Sequence, residues 1–250
     1  MAEHEQLMYQ VLAKISETDA PLVFKGALIT KLILAEKNFT LLNRQTVDID
    51  ANWIGSPPSM EELVATIQKS FGDMRDQLYA VAIREYEEKK SAGISIREIG
   101  TEKEIMSMDI SIKPVVGSSV YHYGEAAIRG VLANEILADK IAVLSGRLVF
   151  RRAKDLIDVY ALSSCLEVWT SEIFDILKCK SASLGEFVEL LNNPNDLEHA
   201  YYKLRRIEEK PPFDDIYPYL TEFVRPFADK DEMPRIWDSG NRNWVDADLD

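Results

Sequence analysis

Polar and apolar residues alternate without a break from Thr46 to Trp53. Thr46, Asp48, Asp50 and Asn52 fall on one side, and Val47, Ile49, Ala51 and Trp53 on the other. A period of two marks a β-strand with one buried face. A second such run, Met106 to Lys113, sets Met106, Met108, Ile110 and Ile112 against Ser107, Asp109, Ser111 and Lys113. Together with Ile94 to Ile99 it reads as a hairpin turning at Gly100 to Lys103. Asp109 therefore sits on a polar strand face, as Asp48 and Asp50 do. Upstream, Glu5 to Ile15 has the spacing of an amphipathic helix, PLVFK at 21–25 is strand-like, and Gly26 opens a helix reaching about Ala35. GSPPS at 55–59 breaks the chain, and Ser59 with Glu62 forms a capping box for a helix through about Lys69. Asp73 to Lys90 is expected to be a further helix, and Ser91 to Gly93 a turn.

Beyond Pro114 to Ser119 the pattern passes through a short extended piece and becomes helical. The expected helices are Ala133 to Leu144, Arg151 to Ser164, Ser171 to Leu177, Leu184 to Leu191, Asp196 to Ile207 and Asp214 to Phe227. The fold class expected is α+β, with a mixed β-sheet flanked by helices over residues 1–125 and a helical domain over 126–228. Residues 229–250, ending DADLD, have no period and read as an irregular acidic tail, with Trp237 and Trp244 the residues able to pin it. There is no internal repeat and no low-complexity segment.

The 250 residues are 46% hydrophobic, enough to bury a sizeable core in two lobes. A net charge of -13 argues against broad adhesion to nucleic acid or anionic membrane, which rests on an excess of Lys and Arg. No apolar run approaches the roughly 20 residues that span a bilayer, and the N-terminus lacks a signal-peptide pattern, so a cytoplasmic location without membrane contact is expected. Cys165 and Cys179 are too few for a disulfide framework, and with His4, His122 and His199 they show no zinc-ligand spacing.

Two ionised carboxylates side by side on one strand face repel unless a cation lies between them, and hard divalent ions take such oxygen ligands. Taken alone, Asp48 and Asp50 favour the plainer reading of a wet strand edge. With Asp109 they could bind two divalent ions that polarise a phosphate. Gly26, following a strand and opening a helix, would let phosphate oxygens approach backbone N–H groups; its plain alternative is a turn requirement. Lys140 lies inside the apolar stripe of Ile136, Leu137, Ile141 and Leu144, so it needs an anionic partner unless its stem snorkels outward. Arg151, Asp155 and Asp158 share one face of the next helix, where an i,i+4 Arg/Asp pair would ordinarily contribute only about 0.2–0.5 kcal/mol.

In order and spacing these residues resemble the nucleotidyltransferases of the AbiEii/AbiGii toxin family, toxins of type IV toxin-antitoxin and abortive-infection systems. The family's KGG[TS]-like turn and R-x-[ST]-x-D-[IL]-D are similar to Lys25-Gly26-Ala27 and Arg44-Gln45-Thr46-Val47-Asp48-Ile49-Asp50. Its later A-x-K and R-x-[RK]-D-L-x-D resemble Ala138-Asp139-Lys140 and Arg152-Ala153-Lys154-Asp155-Leu156-Ile157-Asp158. The likeness covers about residues 20–165. It implies a nucleotidyltransferase-like sheet, with Asp48 and Asp50 holding Mg2+, two ions in all, and Asp109 completing the site near the attacking hydroxyl. It implies that Lys140 contacts the triphosphate and that Asp155, or Asp158 as second choice, orients the nucleotide or the lysine. Lys25, Gly26, Ala27 and Arg151 join Lys140, Asp155 and Asp158 as nucleotide-binding residues. The family's second Gly and its Ser or Thr are Ala27 and Leu28 here, which removes one phosphate-contacting hydroxyl.

The resemblance implies a metal-dependent enzyme that moves NMP from an NTP to a hydroxyl acceptor, with tRNA as a candidate acceptor and an antitoxin as a candidate partner. The basic clusters available to RNA are Arg147, Arg151, Arg152 and Lys154, and Lys203, Arg205, Arg206 and Lys210. Two rival readings are a catalytically silent nucleotide- or protein-binding module, motivated by Ala27 and Leu28, and an antibiotic-type small-molecule nucleotidyltransferase.

Overall fold

The computed structural model describes residues 2–39, 43–44, 46–86, 91–205, 207–208 and 210–247. In chain order its elements are α1 (Ala2–Ser16), β1 (Leu22–Lys25), α2 (Gly26–Glu36), β2 (Asn43–Arg44), β3 (Asp48–Trp53), α3 (Met60–Ser70), β4 (Leu78–Arg84), β5 (Ala92–Glu98), β6 (Glu104–Ser111), β7 (Ser118–Tyr123) and β8 (Ala126–Val131). There follow α4 (Ala133–Leu144), α5 (Ala153–Cys165), α6 (Thr170–Cys179), α7 (Val188–Asn192), α8 (Pro194–Tyr202), β9 (Ile207–Glu208), α9 (Phe213–Asp229), β10 (Arg235–Asp238) and β11 (Asn243–Asp246). The chain divides into two compact units, Met1–Leu32 with Thr46–Leu132, and Ile33–Gln45 with Ala133–Asp250. The division differs from the boundaries at 125 and 228 expected from sequence: the sheet runs on to Val131, and residues 33–45 belong with the helical unit.

The first unit is built on a seven-stranded mixed sheet ordered β4-β5-β6-β3-β1-β8-β7. β3 pairs parallel to β6 and antiparallel to β1, and β5 pairs antiparallel to both β4 and β6. Alternation in β3 and β6 buries Ile49, Ala51, Met106, Met108 and Ile110, whose apolar face drives the sheet against its helices. α1 packs on β8 and β1, and α3 on β4. α3 is capped as the sequence indicates, with Ser59 Oγ accepting from the Glu62 N–H at 3.1 Å. Ile112 departs from the expected pattern: β6 ends at Ser111, and Ile112 is exposed.

The expected helix Asp73 to Lys90 is not formed over its described part. A 3-10 turn, Gly72–Asp76, leads into β4, and residues 87–90 lie outside the described residues. Helix-favouring Arg, Gln and Glu suit a helix locally, but pairing with β5 gives Leu78 and Ala80 a buried strand face. The extended piece after Pro114 is a full hairpin, β7–β8.

In the second unit α4 packs on α5 and α6, α5 on α8 and α9, and α8 on α7 and α9. The tail is not irregular. β10 and β11 pair as an antiparallel hairpin whose Trp237 is buried against Tyr219, Phe223 and Trp244. Trp237 Nε1 donates to Tyr219 Oη at 2.8 Å, and Trp244 Nε1 to the Phe223 carbonyl at 3.0 Å. Aromatic area on α9 supplies what the tail's sequence lacks; its last three residues lie outside the described set. Among the described residues no helix is long and apolar enough to cross a membrane.

Candidate active site

Strand β3 carries Asp48 and Asp50 two residues apart, hence on one face, with Asp48 exposed and Asp50 half-buried. In the parallel pairing with β6, Asp48 stands opposite Ser107 and Asp50 opposite Asp109. Ser107 donates its hydroxyl to Asp48 Oδ1, fixing that carboxylate on the sheet. Asp109 Oδ1 accepts from Arg84 Nη2 at 2.5 Å. The sheet thus brings the three sequence-predicted aspartates to one face of two neighbouring strands.

Next along that face, Asn52 is fully buried, and its Oδ1 accepts from Lys25 Nζ at 2.5 Å. Its Nδ2 has no hydrogen-bond partner among the described residues, leaving a buried donor two positions from Asp50. Lys25 is the register partner of Asp50 across β1 and β3. Gly26 follows with φ +71°, in the left-handed region, and a Cβ there would fall within the van der Waals shell of Asp50 Oδ2. The glycine at this strand-to-helix junction therefore serves the aspartate: its bare Cα leaves room for the Asp50 carboxylate. Leu28, in place of a family Ser or Thr, is 1% exposed, so its side chain belongs to the core. Gln45 and the side chain of Arg44 lie outside the described residues.

The donor set can be tested against a divalent cation. Asp48 and Asp50 offer hard oxygens side by side, and Mg2+ is commonly held by one or two carboxylates plus substrate phosphates. Those two residues fit such an ion. Asp109 is already engaged by Arg84, and among the described residues no group of three His, Cys, Asp or Glu side chains is arranged to hold a metal.

Within the second unit, Lys140 turns inward. Its Nζ donates to Asp155 Oδ1 at 2.8 Å and to Asp158 Oδ2 at 2.6 Å, and both aspartates are about 1% exposed. Burial works against the ammonium, but the charges of Asp158 and Asp155 and their hydrogen bonds outweigh it and raise its pKa. Asp155 and Asp158 are thus buried, not part of a surface ladder. Arg151 is exposed and precedes α5, and the arginine pairing with Asp155 is Arg152, Nε to Oδ2 at 2.6 Å. Asp139, of the same motif, receives Lys180 at 2.8 Å, which also reaches the buried Glu135 at 2.8 Å. Lys210 is a helix cap, donating to the carbonyls of Tyr201, Tyr202 and Leu204 at 3.1–3.3 Å. Arg206 lies outside the described residues.

The model of the family described as "Nucleotidyl transferase AbiEii toxin, Type IV TA system" matches residues 6–237. The chain belongs to the AbiEii nucleotidyltransferase toxin family. AbiEii membership makes it a nucleotidyltransferase enzyme of toxin-antitoxin type, with an NTP as substrate and an antitoxin as the partner its family implies. Comparison with curated proteins finds no match. Among solved structures it is similar to MenT4, a nucleotidyltransferase toxin from Mycobacterium tuberculosis, at 14% identity and TM-score 0.50, over 87% of this chain and 80% of that one. It is also similar to an antigenic nucleotidyltransferase-like protein from Paracoccidioides brasiliensis, at 13% identity and TM-score 0.41, over 87% and 93% of the two chains. The MenT4 likeness supports the nucleotidyltransferase fold.

Sequence reasoning missed Arg84, Ser107, Asn52 and Arg152 as parts of these clusters. Ser107 and Asn52 were legible, since each lies on the polar face of an alternating run. Arg84 was hidden because its segment was read as helix.

Proposed function

We propose that this AbiEii-family enzyme moves a nucleoside monophosphate from an NTP to a hydroxyl on the acceptor end of tRNA, releasing pyrophosphate. The observation that carries the reading is the pair Asp48 and Asp50 on one face of β3, with Asp109 in register on β6. Asp48 and Asp50 would hold Mg2+, Asp48 in the orientation set by the Ser107 hydroxyl and Asp50 in the space left by Gly26. When bound, the metal ion would draw charge from the phosphate oxygens of the NTP. Asp109, one strand over, is the carboxylate for the attacking hydroxyl, and backbone N–H groups at Gly26 and Ala27 with the Lys25 ammonium form the phosphate side. Catalysis of this kind rests on positioning and charge neutralisation.

For Lys140, Asp155 and Asp158 the burial and the two short ion pairs favour the role in which Asp155 orients the lysine of the motif. Arg151, exposed ahead of α5, remains a nucleotide contact in this proposal. The protein is incubated with labelled NTPs, Mg2+ and either total tRNA or a panel of small hydroxyl compounds. Label on RNA that disappears in Asp48→Ala is the expected result. Label on a small molecule would favour the antibiotic-type reading, and NTP binding without transfer to anything would refute turnover in favour of a silent binding module.

A further inference from the structure

One row of residues crosses five strands of the sheet in register: Arg84 on β4 pairs with Gly93 on β5, Gly93 with Asp109 on β6, Asp109 with Asp50 on β3, and Asp50 with Lys25 on β1. Register partners share a face, so the row reads cation, gap, anion, anion, cation. The gap is what joins Arg84 to Asp109. A side chain at position 93 would stand between them, and a Cβ there would already lie 3.1 Å from Arg84 Cβ and from Ile83 Cγ1. Over the bare Cα of Gly93 the long arginine crosses one strand and donates to Asp109 Oδ1 at 2.5 Å.

Two further features hold Arg84 there. The β4–β5 register shifts between Ala82 and Arg84, a bulge that re-aims the residue following it. Arg84 Nε donates to the Ser91 carbonyl at 3.0 Å, and Nη2 to Ser91 Oγ at 2.9 Å, so the guanidinium is fixed at its base as well as its tip. An arginine stays charged at any working pH. It therefore supplies Asp109 with a permanent positive partner, the service a second metal ion would otherwise perform.

We propose that Arg84 is a positioning residue that replaces the second metal ion: it neutralises and orients Asp109, so that the site takes one divalent cation, on Asp48 and Asp50, instead of two. The proposal rests on the nucleotidyltransferase reading above and revises its metal count. It also fits the absence, among the described residues, of a three-ligand metal cluster.

The test is Mn2+ binding to the full-length protein without nucleotide, counted from the electron paramagnetic resonance signal of free Mn2+. Wild type is expected to bind one ion per chain, lost in Asp48→Asn. Arg84→Gln frees Asp109 and is expected to bind two, Arg84→Lys keeps a cation and binds one, and the Arg84→Gln/Asp109→Asn double variant returns to one. Two ions in wild type would overturn the proposal even if Arg84→Gln failed to fold, as would an unchanged count in a folded Arg84→Gln. Either result leaves the nucleotidyltransferase reading standing; that reading fails separately, by absence of label transfer, and an ion count of zero in wild type overturns the metal assignment in both.

Discussion

Replacing Lys140 by Met keeps most of the stem's volume and removes the charge shared by Asp155 and Asp158. The lysine side chain is 11% exposed and the two aspartates 1% and 2%, so water cannot take over its role. Asp155 retains Arg152 at 2.6 Å, so the variant removes one of its two cationic partners. Breaking a buried ion pair from one side typically costs about 3–5 kcal/mol. For a chain of this size that corresponds to a melting temperature lower by roughly 6–20 °C. The pH dependence gives a second readout. In the wild type Lys140 has a raised pKa, so its contribution is complete below the ordinary lysine range and is lost only as pH rises through the higher folded value. In Lys140→Met that alkaline loss is absent. Urea unfolding followed by tryptophan fluorescence at neutral and at alkaline pH measures both effects. A loss below about 1 kcal/mol in Lys140→Met would refute the reasoning.

Gly26→Ala is expected to lower stability by more than the roughly 1–2 kcal/mol of a left-handed alanine, because its Cβ also displaces Asp50. The same variant should bind Mn2+ more weakly than wild type in the titration described above; unchanged affinity would show that Asp50 does not need the space. Trp237→Ala removes a ring buried among Tyr219, Phe223 and Trp244, together with the hydrogen bond to Tyr219, and should cost about 3–5 kcal/mol in urea unfolding. A cost near zero would mean that the hairpin is a loose tail after all.

Local pattern was enough to define β3 and β6 and to put Asp48, Asp50 and Asp109 on polar strand faces, because a period of two fixes which way each side chain points whatever the strand pairs with. It likewise marked the Ser59 cap and helix α4, where propensity and apolar spacing agree. Lys140 was singled out from sequence alone for the same reason: a charge inside an apolar stripe must find a partner. Which partner it finds is a matter of tertiary packing, and Arg152, the residue that leads into α5 three positions before Asp155, takes the place expected of Arg151. Strand β4 is ambiguous in isolation, since Leu78, Ala80, Ala82 and Arg84 favour a helix while Tyr79, Val81 and Ile83 favour a strand, and pairing with β5 decides for the strand. With the strand read as helix, Arg84 was lost. The tail hairpin has no period of its own and is ordered by the aromatic face of α9. Sequence determined which residues could bear charge and which way they faced; the register of β4, β5, β6, β3 and β1, which no local pattern encodes, decided that Arg84, Asp109, Asp50 and Lys25 stand in one row.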